Sequence, residues 1–153
     1  MSKPSVSVFF PCYNDEKTIG PLVRGANKIL DKTGAKYEVI VIDDGSTDNS
    51  RGELSKLSRE IKNLRLIFHR QNMGYGGALK SGFKSSKYDL IFYTDGDGQY
   101  DISELELLIP LMTDDIDVVN GIKMFRNDPW YRTLIGNLYN FTVRNFFNID
   151  IFD

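Results

Sequence analysis

Short apolar, β-branched runs alternate along the chain with longer stretches whose apolar positions recur at helical spacing. Residues 5–10 (SVSVFF), 37–42 (YEVIVI), 64–69 (LRLIFH), 88–94 (YDLIFYT) and 116–119 read as strands. Between the first two, Ile19, Leu22, Val23, Ala26, Ile29 and Leu30 share one face of a helix over about 16–30 that stops near Gly34. Asp48 can cap a second helix to about residue 62, with Leu54, Leu57, Ser58 and Ile61 inward. Residues 74–86 read as a Gly-rich turn leading into a helix, Ser103 as the cap of a helix over 104–112, and residues 129–147 as a last helix opened by Pro129. Nearly continuous apolar strands, each followed by a helix, predict an α/β fold with a parallel sheet covered on both faces. In such sheets ligands sit beyond the carboxyl ends of the strands. The polar, turn-forming segments 11–16, 43–48, 72–77, 95–101 and 121–127 all fall at those ends.

Composition narrows the chemistry. The 153 residues suit one domain, and 41% hydrophobic with 26% charged residues is globular usage. Nineteen Lys+Arg against 21 Asp+Glu exclude a generally basic nucleic-acid binder. One cysteine, Cys12, cannot form an internal disulfide, so a reducing compartment is expected. One histidine, His69, argues against His-rich zinc sites and Ser-His-Asp machinery; both residues read as strand-end positions without a catalytic task. No apolar run approaches the roughly 18 residues of a membrane span. The last residues, NIDIFD, look like the start of another strand, and the expectation is the front portion of a longer protein.

The strongest chemical signal is the loop Asp95-Gly96-Asp97-Gly98-Gln99-Tyr100-Asp101, directly after a strand. Carboxylates at i and i+2 can face one hard cation, with Gln99 adding a neutral oxygen and open positions left for phosphate oxygens. A calcium-loop template over the same residues fails because Tyr100 occupies the position that needs glycine, and because a strand enters where a helix is required. Asp43 and Asp44 can accept hydrogen bonds from a nucleobase or ribose, with a turn plus helix cap as the alternative; both hold together if Asp44 is functional and Asp48 caps. The segment 72–77 can present backbone N–H groups to an anion, but it misses the dinucleotide fingerprint at Leu79 and the P-loop pattern at Phe83. Lys123, Arg126 and Arg132 either neutralise a diphosphate or form an ordinary charged surface. The apolar, aromatic stretch 130–152 reads as core, with a lipid-facing surface as the alternative.

Taken in order, PCYNDE, VIDDGSTD, NMGYGGALKSG and YTDGDGQYD resemble family 2 glycosyltransferases of the GT-A fold, over residues 5–153. Within that family the D-x-D-x-Q form and the segment GIKMFRNDPWYR are most similar to polyprenyl-phosphate mannosyl- and glucosyltransferases. The resemblance implies a single Rossmann-like GT-A domain over 1–153, incomplete on the acceptor side, because the family continues past Asp153 into D-x-x-S/C-G-F-[KR]. It implies that Pro11, Tyr13, Asn14, Glu16, Asp43, Asp44, Gly74, Lys80, Asp95 and Gly96 bind a nucleotide-diphosphate sugar. Asp95, Asp97 and Gln99 would hold Mg²⁺ or Mn²⁺, and Asp97, Lys123 and Asp153 would take catalytic positions. Lys123 stands where the family commonly has arginine, keeping the charge without the bidentate fork. The implied reaction is inverting transfer of a hexose from a UDP- or GDP-sugar to polyprenyl phosphate or a glycan. The implied location is cytoplasmic, with peripheral contact at the cytoplasmic membrane face, and self-association would hide the apolar end. A nucleotidyltransferase of similar architecture would need a Gly-rich, basic signature after the first strand, which PCYNDEKTIG lacks. A nucleotide-binding or interaction module without turnover is the alternative from another class.

Overall fold

The computed structural model describes residues 4–98, 100–121 and 130–147. The chain divides into two compact units, Met1–Ile109 and Pro110–Asp153. In the first, four strands form an all-parallel sheet in the order β3-β2-β1-β4: β1 Val6–Cys12, β2 Tyr37–Asp43, β3 Leu64–Phe68 and β4 Leu90–Tyr93. Three helices connect them: α1 Ile19–Thr33, α2 Ser50–Glu60 and α3 Tyr75–Ser85.

Strand alternation sorts the core onto two faces. Val6, Val8, Phe10 and Cys12 of β1, with Val39 and Val41 of β2, pack with the apolar stripe of α1 and with Leu54 and Leu57 of α2. The intervening Phe9, Ile40 and Ile42 turn to the other face and meet Ala78 of α3. There Phe9 stacks on Tyr93 at 5.3 Å between ring centroids, and Phe83 meets it edge-on at 5.1 Å. All six apolar positions expected on the first helix are buried; on α2, Ser58 is exposed instead of inward.

The strand order contains the feature that matters for function. Going from β1 to β2 to β3 the chain moves one way across the sheet, and β4 then returns to the other side of β1. The carboxyl ends of β1 and β4 therefore flank a topological switch point, where loops diverge and leave a crevice. Strand β1 runs through Pro11 to Cys12, past the proline expected to close it. Its even-numbered residues bond toward β2, as in Val6 N–H to Lys36 and Asp44 N–H to the Cys12 carbonyl. Pro11 thus turns its missing N–H toward the β4 side, beyond the last β1–β4 pair, Phe9 with Tyr93, and no ladder bond is lost.

A second structural knot lies toward the opposite end of the sheet. Glu38, 1% exposed, accepts from Ser7 Oγ at 2.8 Å, Arg65 Nη1 at 2.6 Å and the Lys87 backbone N–H at 3.0 Å. Burial pushes its carboxyl up, but the hydrogen bonds from Arg65, Ser7 and the Lys87 N–H, with the Arg65 charge, together hold it below the ordinary carboxylate value.

After β4 the chain forms a 3-10 turn at Ile102–Glu104, a short helix α4 at Leu105–Leu108 and another turn at Ile109–Leu111. The cap of this stretch is Asp101, whose carboxylate accepts from the Ser103 N–H at 2.9 Å, rather than Ser103 itself. No strand forms at 116–119 among the described residues, and Val118 is 77% exposed. A short apolar run becomes a strand only with a neighbour to pair, which local pattern does not reveal. The second unit carries α5, Trp130–Phe147, on which Leu138, Phe141 and Phe146 are exposed. Residues 148–152 of the stretch expected as core lie outside the described residues. No described helix is long and apolar enough to cross a membrane.

Candidate functional site

The loops after β1, β2, β3 and β4 meet at the carboxyl rim of the sheet. The first two are stitched together. Asn14 adopts a left-handed backbone, φ 59°, and its Oδ1 accepts from Thr47 N–H at 2.8 Å and Asp48 N–H at 3.3 Å. In return Asn14 N–H donates to Ser46 Oγ at 3.0 Å, Asp15 N–H to Ser50 Oγ at 3.0 Å and Glu16 N–H to Asp48 Oδ2 at 3.1 Å. Glu16 Oε2 accepts from the Asn49 N–H at 3.0 Å, at the start of α2. Gly45 joins this pair to the third loop: its φ is +76°, and a Cβ there would stand 2.7 Å from the Asn72 backbone nitrogen. Only glycine tolerates both conditions.

The two adjacent acids after β2 separate in role. Asp43, fully buried, pairs with Arg51 Nε at 2.6 Å and accepts from the Ser46 N–H at 3.3 Å. Arg51 also donates to the His69 carbonyl at 2.7 Å. Asp44 instead lines a cavity of about 450 Å³ together with Pro11, Tyr13, Tyr75, Asp95 and Asp97. Its Oδ1 accepts from the Met73 N–H at 2.8 Å and contacts His69 Nδ1 at 2.6 Å. The N–H groups of 72–77, expected to face an anion, are partly committed in this way: Met73 to Asp44, and Gly74 to Asn72 Oδ1 at 2.8 Å.

The loop after β4 enters the switch point itself. Gly96 lies so close to β1 that a Cβ would stand 2.5 Å from the Pro11 carbonyl oxygen. Its own carbonyl accepts from Thr18 Oγ1 at 2.9 Å. This anchoring puts Asp95 and Asp97 beside Asp15, and the three acids line the cavity together. Asp15 and Asp97 also border a neighbouring polar cavity of about 520 Å³ with Asn14, Glu16 and Asp48. Burial, and then the negative charges of Asp97, Asp48 and Asp95, push the Asp15 carboxyl above its ordinary value against the pull of the Tyr13 N–H. Burial, and then the neighbouring Asp95 carboxylate, push the Tyr75 hydroxyl up. Burial does the same to the Cys12 thiol, raised to about 12 with help from the Asp15 charge, so this thiol stays protonated.

One atom stands out. Asp95 Oδ1 is buried and has no hydrogen-bond partner among the described residues. A buried carboxylate oxygen without a donor calls for a cation or a donor supplied from outside. Oxygen ligands of this kind fit a hard divalent ion. Among the described residues no three His, Cys, Asp or Glu side chains are arranged to enclose a metal ion unaided. Gln99, Lys123 and Asp153 lie outside the described residues. Lys80 is exposed on α3 and lines neither cavity; Gly74 caps the same helix. Asp15 carries no expected role in the sequence, and His69, expected only as a strand-end residue, meets Asp44 at the rim. The signal that points to Asp15 is its place between Asn14 and Glu16 in a loop expected at the rim.

An open parallel α/β sheet with an acid-lined crevice at its switch point belongs to the class of proteins that bind ligands across strand ends. The family model for glycosyl transferase family 2 matches residues 7–152, and the chain belongs to that family. Among solved structures, S. aureus TarS 1-349 in complex with UDP-GlcNAc is 28% identical with a TM-score of 0.52, over 61% of this chain and 26% of that one. Two others share the fold. One is glucosyl-3-phosphoglycerate synthase from Mycobacterium tuberculosis with Mn²⁺, UDP and phosphoglyceric acid (24% identity, TM-score 0.58, 73% of this chain and 40% of that one). The other is the mannosyltransferase PcManGT from Pyrobaculum calidifontis with GDP-Man and Mn²⁺ (24%, 0.57, 63% and 28%). The chain thus spans well under half the length of these structures.

Proposed function

We propose that the chain binds a nucleotide-diphosphate sugar, UDP- or GDP-linked, across the β1/β4 switch point and serves inverting hexosyl transfer. The observation that carries this reading is the partnerless Asp95 oxygen in a cavity shared with Asp44, Asp97 and Asp15. Asp44 would receive the nucleoside, and the loops holding Pro11, Tyr13 and Gly96 would bound the pocket. Asp95 and Asp97, with Gln99, would hold Mg²⁺ or Mn²⁺. When bound, that ion supplies positive charge against the diphosphate leaving group. Family membership and the likeness to the UDP-GlcNAc-bound structure support a nucleotide-sugar donor.

The protein's own contribution is mostly electrostatic and positional. Four acids facing one cavity repel a bare diphosphate, so an anionic donor enters only with compensating cations. Lys123, with Arg126 and Arg132, would add positive charge for the leaving group, and Asp153 would stand on the acceptor side. For the acceptor we favour polyprenyl phosphate, on the resemblance of the D-x-D-x-Q and GIKMFRNDPWYR segments. Its phosphate, with a second pKa of about 6, is already anionic near neutral pH and asks for no strong base. A glycan hydroxyl would require one. This acceptor also fits action at the cytoplasmic face of a membrane.

Isothermal titration with UDP and GDP, with and without Mn²⁺, tests the donor reading. Metal-dependent binding that weakens about tenfold or more in Asp95→Asn is expected, the loss of one charge-assisted contact. Binding indifferent to EDTA would reject the metal site. Transfer of labelled hexose to polyprenyl phosphate then tests turnover separately from binding.

A further inference from the structure

We propose that His69 is a positioning residue for the nucleoside end of this site: oriented by Ser81, it fixes the Asp44 carboxylate so that only Oδ2 is offered to the ligand. The inference rests on the donor reading above and deepens it. The three side chains form a line. His69 Nε2 lies 2.9 Å from Ser81 Oγ on α3, and Nδ1 lies 2.6 Å from Asp44 Oδ1. The His69 and Asp44 side chains are only 9% and 5% exposed. Asp44 Oδ1 also takes the Met73 N–H, so that oxygen is saturated. Oδ2 has no hydrogen-bond partner among the described residues, and Asp44 lines the cavity.

The arrangement dictates proton positions. Asp44 Oδ1 can only accept, so His69 must carry its proton on Nδ1. In the neutral ring Nε2 then accepts from the Ser81 hydroxyl. The backbone of His69 is pinned as well: its N–H donates to the Asp43 carbonyl at 2.8 Å, and its carbonyl accepts from Arg51, which Asp43 holds. Asp43 thereby acts behind the site while Asp44 faces it. A carboxylate locked in one rotamer with a single open oxygen presents one acceptor direction, which suits an imino or hydroxyl donor of a nucleoside.

His69 is the only histidine in the sequence, so its ring nitrogens can be observed by NMR without ambiguity. A proton on Nδ1 in the ligand-free protein is expected; an unprotonated Nδ1 overturns the relay, whether or not nucleotides bind. Titrations of UDP, GDP and Mn²⁺-pyrophosphate then compare variants. His69→Phe should weaken nucleotide binding about tenfold while leaving Mn²⁺-pyrophosphate unchanged, since only the nucleoside end uses Asp44. His69→Asn, whose amide N–H occupies the place of Nδ1–H, should restore affinity to within about threefold. Equal weakening in both variants, or parallel loss of pyrophosphate binding, overturns the positioning role. Absence of nucleotide binding by the unmodified chain would instead sink the donor reading, with the Nδ1 proton still deciding the relay.

Discussion

Asp15 is held among like charges. Its raised carboxyl value comes first from burial and then from Asp97, Asp48 and Asp95, with the Tyr13 N–H pulling it down. An acid with a folded value above its unfolded one costs stability once it ionises, and the cost disappears on acidification. Asp15→Asn should therefore raise the melting temperature by a few degrees near neutral pH, with the gain shrinking as pH falls through the carboxylate range, followed by calorimetry. The amide oxygen can still accept from Tyr13 N–H at the 3.0 Å position. A more stable variant with weaker metal-dependent binding would show repulsion retained for function. At this scale the sequence was partly legible. The acids of the rim were visible as turn residues after strands, with Asp44 as the functional one, but the reason Asp43 is withdrawn lies in Arg51, which arrives from another element. His69, alone after a strand, carried no pattern; its meaning lies in Asp44 and Ser81, 25 and 12 residues away.

Elements were legible where one face is buried. The helical stripe of α1 was read residue by residue because a 3.6-residue period leaves little freedom once six positions must be covered. The missing strand at 116–119 shows the converse. The knot around Glu38 could not have been foreseen, because a glutamate inside YEVIVI gives no hint that Ser7 and Arg65 will meet it. Its depressed carboxyl value stabilises the fold above the unfolded value, and that contribution is lost as pH falls through the folded one. Glu38→Gln should cost about 2–3 kcal/mol in denaturant unfolding at neutral pH, with the difference from the parent narrowing under acid conditions. Gly45→Ala combines a left-handed backbone with a clash against Asn72 and should cost a similar amount, about 2–3 kcal/mol, in the same assay.

The first unit as a whole is organised by the reversal of strand order at β1. Parallel strands from an alternating pattern were predictable, and so was the placing of polar loops at one rim. Which loops become neighbours was not, because that follows from β4 choosing the β1 edge rather than the β3 edge. If the crevice takes a metal–nucleotide pair, binding must appear as global stability. At a free ligand concentration of 100 times Kd, linkage adds about 2.7 kcal/mol, a rise in melting temperature of about 5–10 °C for a chain of this size. Mn²⁺ and UDP or GDP together should produce it in a thermal scan, and UDP or GDP with EDTA should not.

Asn14 gives the rim a property that matters for recombination. Because its amide spans to Thr47 and Asp48 while Glu16 reaches Asn49, segments 13–16 and 46–50 form a single transplantable part although Asn14 and Thr47 stand 33 positions apart. A chimera that imports one segment from a relative without its mate would inherit half of a clasp. Both would have to travel together for the graft to keep its shape.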